Sequence, residues 1–217
     1  MDYSSVRRNM VENQLRTNRI EDQRLLDAML EVPRERFVPK MLRGVAYLDE
    51  DLILPSGQHL IEPLALARLV QAAEVGAGDV ALVLGCGTGY TAAVVGRLSA
   101  TTMTVVPDEI AARQIESLLD DLGADNVVVR IGEDPLAGAP DQAPFDAIIL
   151  AGAVAEVPDA LLDQLGEGGR LVAVLDDGRI GKGTRFSRIG GTIGRRILFD
   201  ARIPPLPGAA REPAFSF

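Results

Sequence analysis

The 217-residue sequence predicts an α/β fold of the doubly wound, Rossmann-like kind, in which a mostly parallel sheet carries helices on both faces behind a helical N-terminal extension. Three observations carry this. From residue 79 onward, short apolar runs alternate with helical stretches; the runs are apolar on both faces; and the first of them leads directly into a glycine array at Gly85, Gly87 and Gly89. Strands covered by helices on either side lose the in-out alternation of a half-exposed sheet, and this is the pattern seen here.

Taken in order, RLLDAML at 24–30 and the set Leu66, Leu69, Val70 and Ala73 mark helices before residue 75, and no strand as clear as the later ones appears there. The strands follow at VALVL (80–84), MTVV (103–106), NVVVRI (126–131), DAIIL (146–150) and RLVAVL (170–175). Between them, Ala111, Ile115, Leu118, Leu119 and Leu122 share one helix face, and PDALLDQL at 158–165 reads as a further helix closed by GEGG. TRFSRI and TIGRRILF flank Gly190 and Gly191 as a hairpin at the far edge of the sheet. The segment from Pro204 is rich in Pro and Gly and reads as irregular chain. We read one domain over 1–217, with 1–75 as helical extension and substrate loop and 76–217 as core with a C-terminal hairpin.

Composition narrows the function. The 22 Lys and Arg against 31 Asp and Glu give a formal charge of -9, which repels a phosphate backbone, so no nucleic-acid partner is expected. One cysteine, Cys86, and one histidine, His59, supply neither a disulfide nor a zinc cage, and no metal is expected. The N-terminus lacks the features of a secretory signal and no apolar run approaches membrane-spanning length, so a cytoplasmic protein without a membrane partner is expected. Nothing in the sequence speaks to oligomeric state.

The glycine array is the strongest local signal. A bare backbone after a strand lets a ligand approach where the next helix begins. A dinucleotide fingerprint wants a third glycine where this chain has Tyr90, which leaves a dehydrogenase as a weak contender, and no GxxxxGK sequence cradles a triphosphate. The tighter GxGxG spacing suits S-adenosylmethionine, with its amino-acid end over Gly85, Cys86, Gly87 and Gly89 and its ribose toward the end of the second strand. The alternative is a turn that only packs the helix.

Several stretches resemble protein-L-isoaspartate O-methyltransferases: MVENQL at 10–15, VPRERFVP at 32–39, AYLDEDL at 46–52, LGCGTGY at 84–90, LGADNV at 122–127, APFD at 143–146, VPDALLDQLGEGGRLV at 157–172 and RIPPL at 202–206. The resemblance runs through nearly the whole chain in order. It implies a seven-stranded methyltransferase sheet, S-adenosylmethionine as cofactor, and an isoaspartyl protein or peptide as substrate, whose carboxylate attacks the sulfonium methyl.

The chain departs from the family pattern at three places. Where the family reads approximately GQTISQP, this chain has Gly57, Gln58, His59, Leu60, Ile61, Glu62 and Pro63, so Ile61 replaces the active-site serine and offers no donor or acceptor. Val83 replaces an acidic residue of the first strand, and Val106 replaces the carboxylate expected at the ribose. A hydrogen bond to a charged partner contributes about 1.5–3 kcal/mol, so weaker cofactor binding is expected. Three hydrocarbon side chains lining one pocket motivate a second reading, a non-catalytic binding or regulatory module. Glu133, with Asp134 beside it, matches an acidic residue next to the adenine, or is a solvated loop.

Other residues carry paired readings. His59 and Glu62 either act together, Glu62 raising the basicity of the imidazole, or Glu62 and Pro63 simply start a helix. Asp108 either reaches the ribose or caps the helix beginning near Glu109. Arg34, Glu35 and Arg36 read as surface charges bracketing buried Val32, Phe37 and Val38, with lining of a substrate cleft as the other option.

Overall fold

The computed structural model describes residues 1–85, 87–134, 136–176 and 178–206. Helices α1 (Tyr3–Met10) and α2 (Gln23–Glu31) are followed by the short antiparallel pair β1 (Leu52–Ile53) and β2 (His59–Leu60), and then by α3 (Pro63–Ala73). The core continues as β3 (Val80–Leu84), α4 (Tyr90–Gly96), β4 (Thr101–Val106), α5 (Glu109–Asp121), β5 (Val127–Ile131), β6 (Phe145–Val154), α6 (Asp159–Leu162), β7 (Leu165–Leu175), β8 (Lys182–Ile189) and β9 (Thr192–Asp200).

Seven strands form one sheet in the order β5-β4-β3-β6-β7-β8-β9. The first five are parallel, and β8 and β9 close the far edge as an antiparallel hairpin in which Ile189 faces Thr192 across Gly190 and Gly191. The order reverses between β3 and β6, and the crevice outside the carboxyl ends of strands at such a reversal is the place where open α/β sheets bind ligands.

The two sheet faces divide the core by the two-residue period of a strand. Ala81 and Val83 belong to the layer that includes α2, α3 and α4, whereas Leu82 and Leu84 belong to the layer with Phe145, Leu161 and Leu206. The first layer reaches from Met10 to Ile203, so the N-terminal helices and the sheet share one apolar interior. Asp108 resolves as the cap: its Oδ1 accepts from the Ala111 amide at 2.8 Å, in line with a side-chain acceptor satisfying an orphan N–H of α5.

One element differs from the sequence reading. Helix α6 is a single turn, and GEGG lies inside β7 instead of closing a helix. Phe145 pairs with Leu165 and Ala147 with Arg170, so the four residues 166–169 bulge out of the ladder. Gly169 permits this, because a Cβ there would come within 2.7 Å of the Gly166 carbonyl oxygen. Buried Gln164 closes the preceding turn, its Oε1 accepting from the Ala139 amide and its Nε2 donating to the carbonyls of Ala137 and Ala160.

Candidate functional site

The crevice is floored by the turn after β3. Gly85 and Gly89 hold φ at 78° and 84°, in the left-handed region that side-chain-bearing residues resist, so the chain reverses tightly and Gly89 hands over directly to Tyr90, the first residue of α4. A Cβ at Gly87 would lie 2.8 Å from the side chain of Gln58, so the loop after β1 rests on the bare backbone there. Cys86 lies outside the described residues.

A second packing contact supports the floor from below. Leu206 is fully buried, and a Cβ at Gly85 would meet its Cδ1 at 2.7 Å. Residues 204–206, the described part of the segment expected to be irregular, dock at the carboxyl end of β6: the Ala153 amide donates to the Pro204 carbonyl, the Leu206 amide donates to the Ala153 carbonyl, and Ala153 bridges Pro205 in parallel. The remainder of that expectation lies outside the described residues.

Beside the turn opens a cleft of about 530 Å³, a size suited to a small-molecule ligand. Gly87 and Thr88 form one wall, Gln114, Ser117 and Leu118 of α5 are in a second, and Arg36, Phe37, Leu54 and Gln58 are among the other lining residues. Glu133 is exposed beyond the end of β5, next to Gly132, whose amide donates to the Val106 carbonyl.

The expectation that Ile61, Val83 and Val106 line this cleft is corrected. All three are buried at 3% exposure or less, belong to one apolar layer, and are absent from the cleft wall. Strand alternation is the reason for the two valines: Val83 and Val106 project into the interior with α3 and α4. Ile61 follows β2 and is held through its backbone, its carbonyl accepting from Arg34 Nη2 at 2.7 Å.

The reading of Arg34 and Glu35 as surface charges is also corrected. Arg34 is 0% exposed and Glu35 is 8% exposed. Pro33 leads into a 3₁₀ turn over Arg34–Phe37, in which residues three apart share a side. Both ends of that turn contact Tyr90: the Phe37 ring meets it edge-on at 5.3 Å and the Arg34 guanidinium stacks on it at 4.9 Å. Glu35 accepts from the buried Tyr47 hydroxyl, whose pKa burial pushes up. Arg36 pairs with Asp121 at 2.6 Å across the cleft wall. Sequence reasoning missed Arg34; its spacing of three from buried Phe37 was the available signal.

Acidic groups gather at the start of α3. The Glu62 amide donates to Asp51 and the Leu64 amide to Asp49, so two carboxylates serve orphan N–H groups of the helix, with Pro63 at its first position. Glu62 itself is raised from its ordinary 4.5 to about 7, chiefly by burial, then by the charges of Asp49 and Asp51. Burial also raises Asp51. No hydrogen bond or ion pair joins His59 to Glu62 among the described residues, and His59 Nδ1 is buried without a partner.

A seven-stranded doubly wound sheet with a GxGxG turn at its switch point defines the class of Rossmann-like methyltransferases. Comparison with known proteins specifies the member. The sequence profile described as protein-L-isoaspartate(D-aspartate) O-methyltransferase matches residues 5–199. The protein-L-isoaspartate O-methyltransferase of Roseiflexus castenholzii is 39% identical over 208 residues, 96% of this chain and 94% of its own length. That of Koribacter versatilis is 39% identical over 202 residues, covering 93% and 90%. The chain belongs to the protein-L-isoaspartate O-methyltransferase family.

Solved structures agree on the fold. One protein-L-isoaspartate O-methyltransferase superposes with a TM-score of 0.80 at 24% identity, covering 94% of this chain and 66% of that one. A Plasmodium falciparum protein assigned to the same family, solved with S-adenosyl-L-homocysteine, gives 0.75 at 19% identity and covers 95% and 98%.

Proposed function

We propose that this chain is an S-adenosylmethionine-dependent O-methyltransferase that esterifies the carboxylate of isoaspartyl residues in damaged proteins. The observation that carries the reading is a family match over nearly the whole chain, coinciding with a tight glycine turn at the carboxyl end of β3. The cofactor supplies an electrophilic methyl on a sulfonium. We assign its amino-acid end to the turn of Gly85, Gly87 and Gly89, which in sequence also holds Cys86, with Thr88 and Gln58 as polar residues of the adjoining cleft. Glu133 is the candidate for the adenine end, and the buried side chain of Val106 offers the ribose no hydrogen-bond acceptor.

The chemistry asks little of acid or base. The acceptor carboxylate is already ionised, and a carboxylate oxygen forms a bond to the methyl carbon as the carbon–sulfur bond breaks and its electrons return to sulfur. No proton moves. The protein therefore contributes proximity and alignment, which can supply a large share of such a rate. Replacement of the family serine by Ile61 is compatible with this economy. Glu62 is the N-cap residue at the start of α3 and His59 lies in β2, and neither is among the residues that line the cleft.

The non-catalytic reading loses its motive, since the hydrocarbon side chains that prompted it belong to the apolar interior. We infer further that residues 1–217 act as one domain, which the shared layer from Met10 to Ile203 supports. A protein acceptor in the cytoplasm, without a nucleic-acid or membrane partner, fits a formal charge of -9, and among the described residues no helix is long and apolar enough to cross a membrane.

The test is transfer of labelled methyl to an isoaspartyl peptide, with the matching aspartyl peptide as control. Labelling of the isoaspartyl peptide alone, abolished by Gly87→Val, is expected. Absence of transfer, together with no S-adenosylhomocysteine binding by calorimetry at millimolar concentration, refutes the proposal.

A further inference from the structure

We propose that Arg34 is a positioning residue for methyl transfer, a buried guanidinium clamp that sets the loop over the glycine turn against the first residue of α4. The proposal rests on the function proposed above.

A guanidinium removed from water is costly unless its donors are satisfied. Arg34 is 0% exposed, and among the described residues no carboxylate lies within ion-pair distance of it. Burial lowers its pKa. What compensates it is a set of aimed contacts to different segments. Nε donates to the Ala46 carbonyl at 2.6 Å, Nη2 donates to the Ile61 carbonyl at 2.7 Å, and the plane stacks on the Tyr90 ring at 4.9 Å. Among the described residues neither Nη1 nor the Tyr90 hydroxyl meets hydrogen-bond geometry with a partner.

Two of those contacts, to Ile61 and Tyr90, converge on the site. Ile61 closes the loop whose Gln58 side chain rests on Gly87, and Tyr90 follows Gly89. One rigid group thus fixes the distance between the roof of the crevice and its floor. Arginine suits the task because its planar fork donates in two set directions while its face stacks; a lysine ammonium cannot do both. Where a reaction runs on alignment, a misplacement of about 1 Å costs about 100-fold in rate.

The experiment compares wild type with Arg34→Lys, and with Tyr90→Leu, which removes the stacking surface from the other side. Amide hydrogen exchange of the ligand-free protein reads the clamp without catalysis. Expected are exchange in residues 57–62 faster by about tenfold, exchange in β3 and β6 unchanged, kcat lower by about 100-fold, and KM for the isoaspartyl peptide within about threefold. Should Arg34→Lys fail to fold, Tyr90→Leu carries the same comparison. Unchanged loop exchange with kcat within threefold of wild type overturns the proposal, and so does exchange that rises equally in the loop and in β3 and β6, the mark of a purely structural arginine. If wild type transfers no methyl, the proposed function fails, while loop exchange still decides whether the clamp exists.

Discussion

Replacing Glu62 by glutamine tests the electrostatics at the start of α3. The side chain is half-buried beside Asp49 and Asp51, and its pKa is raised from 4.5 to about 7. Between those two values the folded protein keeps a proton that the unfolded chain releases. Stability contributed by this group is therefore complete below 4.5 and is lost as pH rises through 7. At full value the loss amounts to about 3 kcal/mol. Solvent still reaches the half-buried carboxyl, and screening brings the expected effect to about 1 kcal/mol. Glutamine keeps the shape and has no charge to lose, and the backbone amide still donates to Asp51. Thermal unfolding of both proteins across about pH 5 to 8 isolates Glu62 together with the carboxylates coupled to it, since titrations not coupled to Glu62 cancel in the difference. Glu62→Gln should gain on wild type as pH rises, reaching about 2–4 °C in Tm at the alkaline end. A difference that does not change with pH, or a variant less stable than wild type at pH 8, refutes the reasoning.

Two further outcomes follow from packing. Leu206→Ala removes a fully buried side chain from beneath Gly85 and Gly152, and should cost about 2–5 kcal/mol in urea unfolding while weakening S-adenosylhomocysteine binding in calorimetry; a loss under 1 kcal/mol counts against the docking of residues 204–206. Val106→Asp restores the family's carboxylate at a position 3% exposed, and should lower ligand-free stability by about 3 kcal/mol. An unchanged Tm for that variant would place Val106 at the open crevice after all.

Much of the architecture was written in short-range pattern. The five parallel strands, the hairpin across Gly190 and Gly191, and the Asp108 cap all depend on periodicity or on a side chain meeting backbone a few residues away. The bulge at 166–169 was hidden because glycine after a helical pattern signals a helix stop and a strand irregularity alike; only pairing with Phe145 distinguishes them. Burial of charge was hidden for a related reason. Arg34 is compensated by carbonyls of Ala46 and Ile61, distant in sequence and invisible to composition. The glycine turn was legible because it is local, whereas the inward aim of Ile61, Val83 and Val106 required the sheet to be assembled.

The docking of Leu206 beneath Gly85 gives the chain a temporal order. During synthesis the turn leaves the ribosome some 120 residues before the side chain that supports it, as the interval from position 85 to 206 requires. A nascent polypeptide holding every strand of the sheet still lacks that keystone. Competence to seize the methyl donor thus waits on residue 206, and shortened products that stop before it carry the recognition turn without its underpinning.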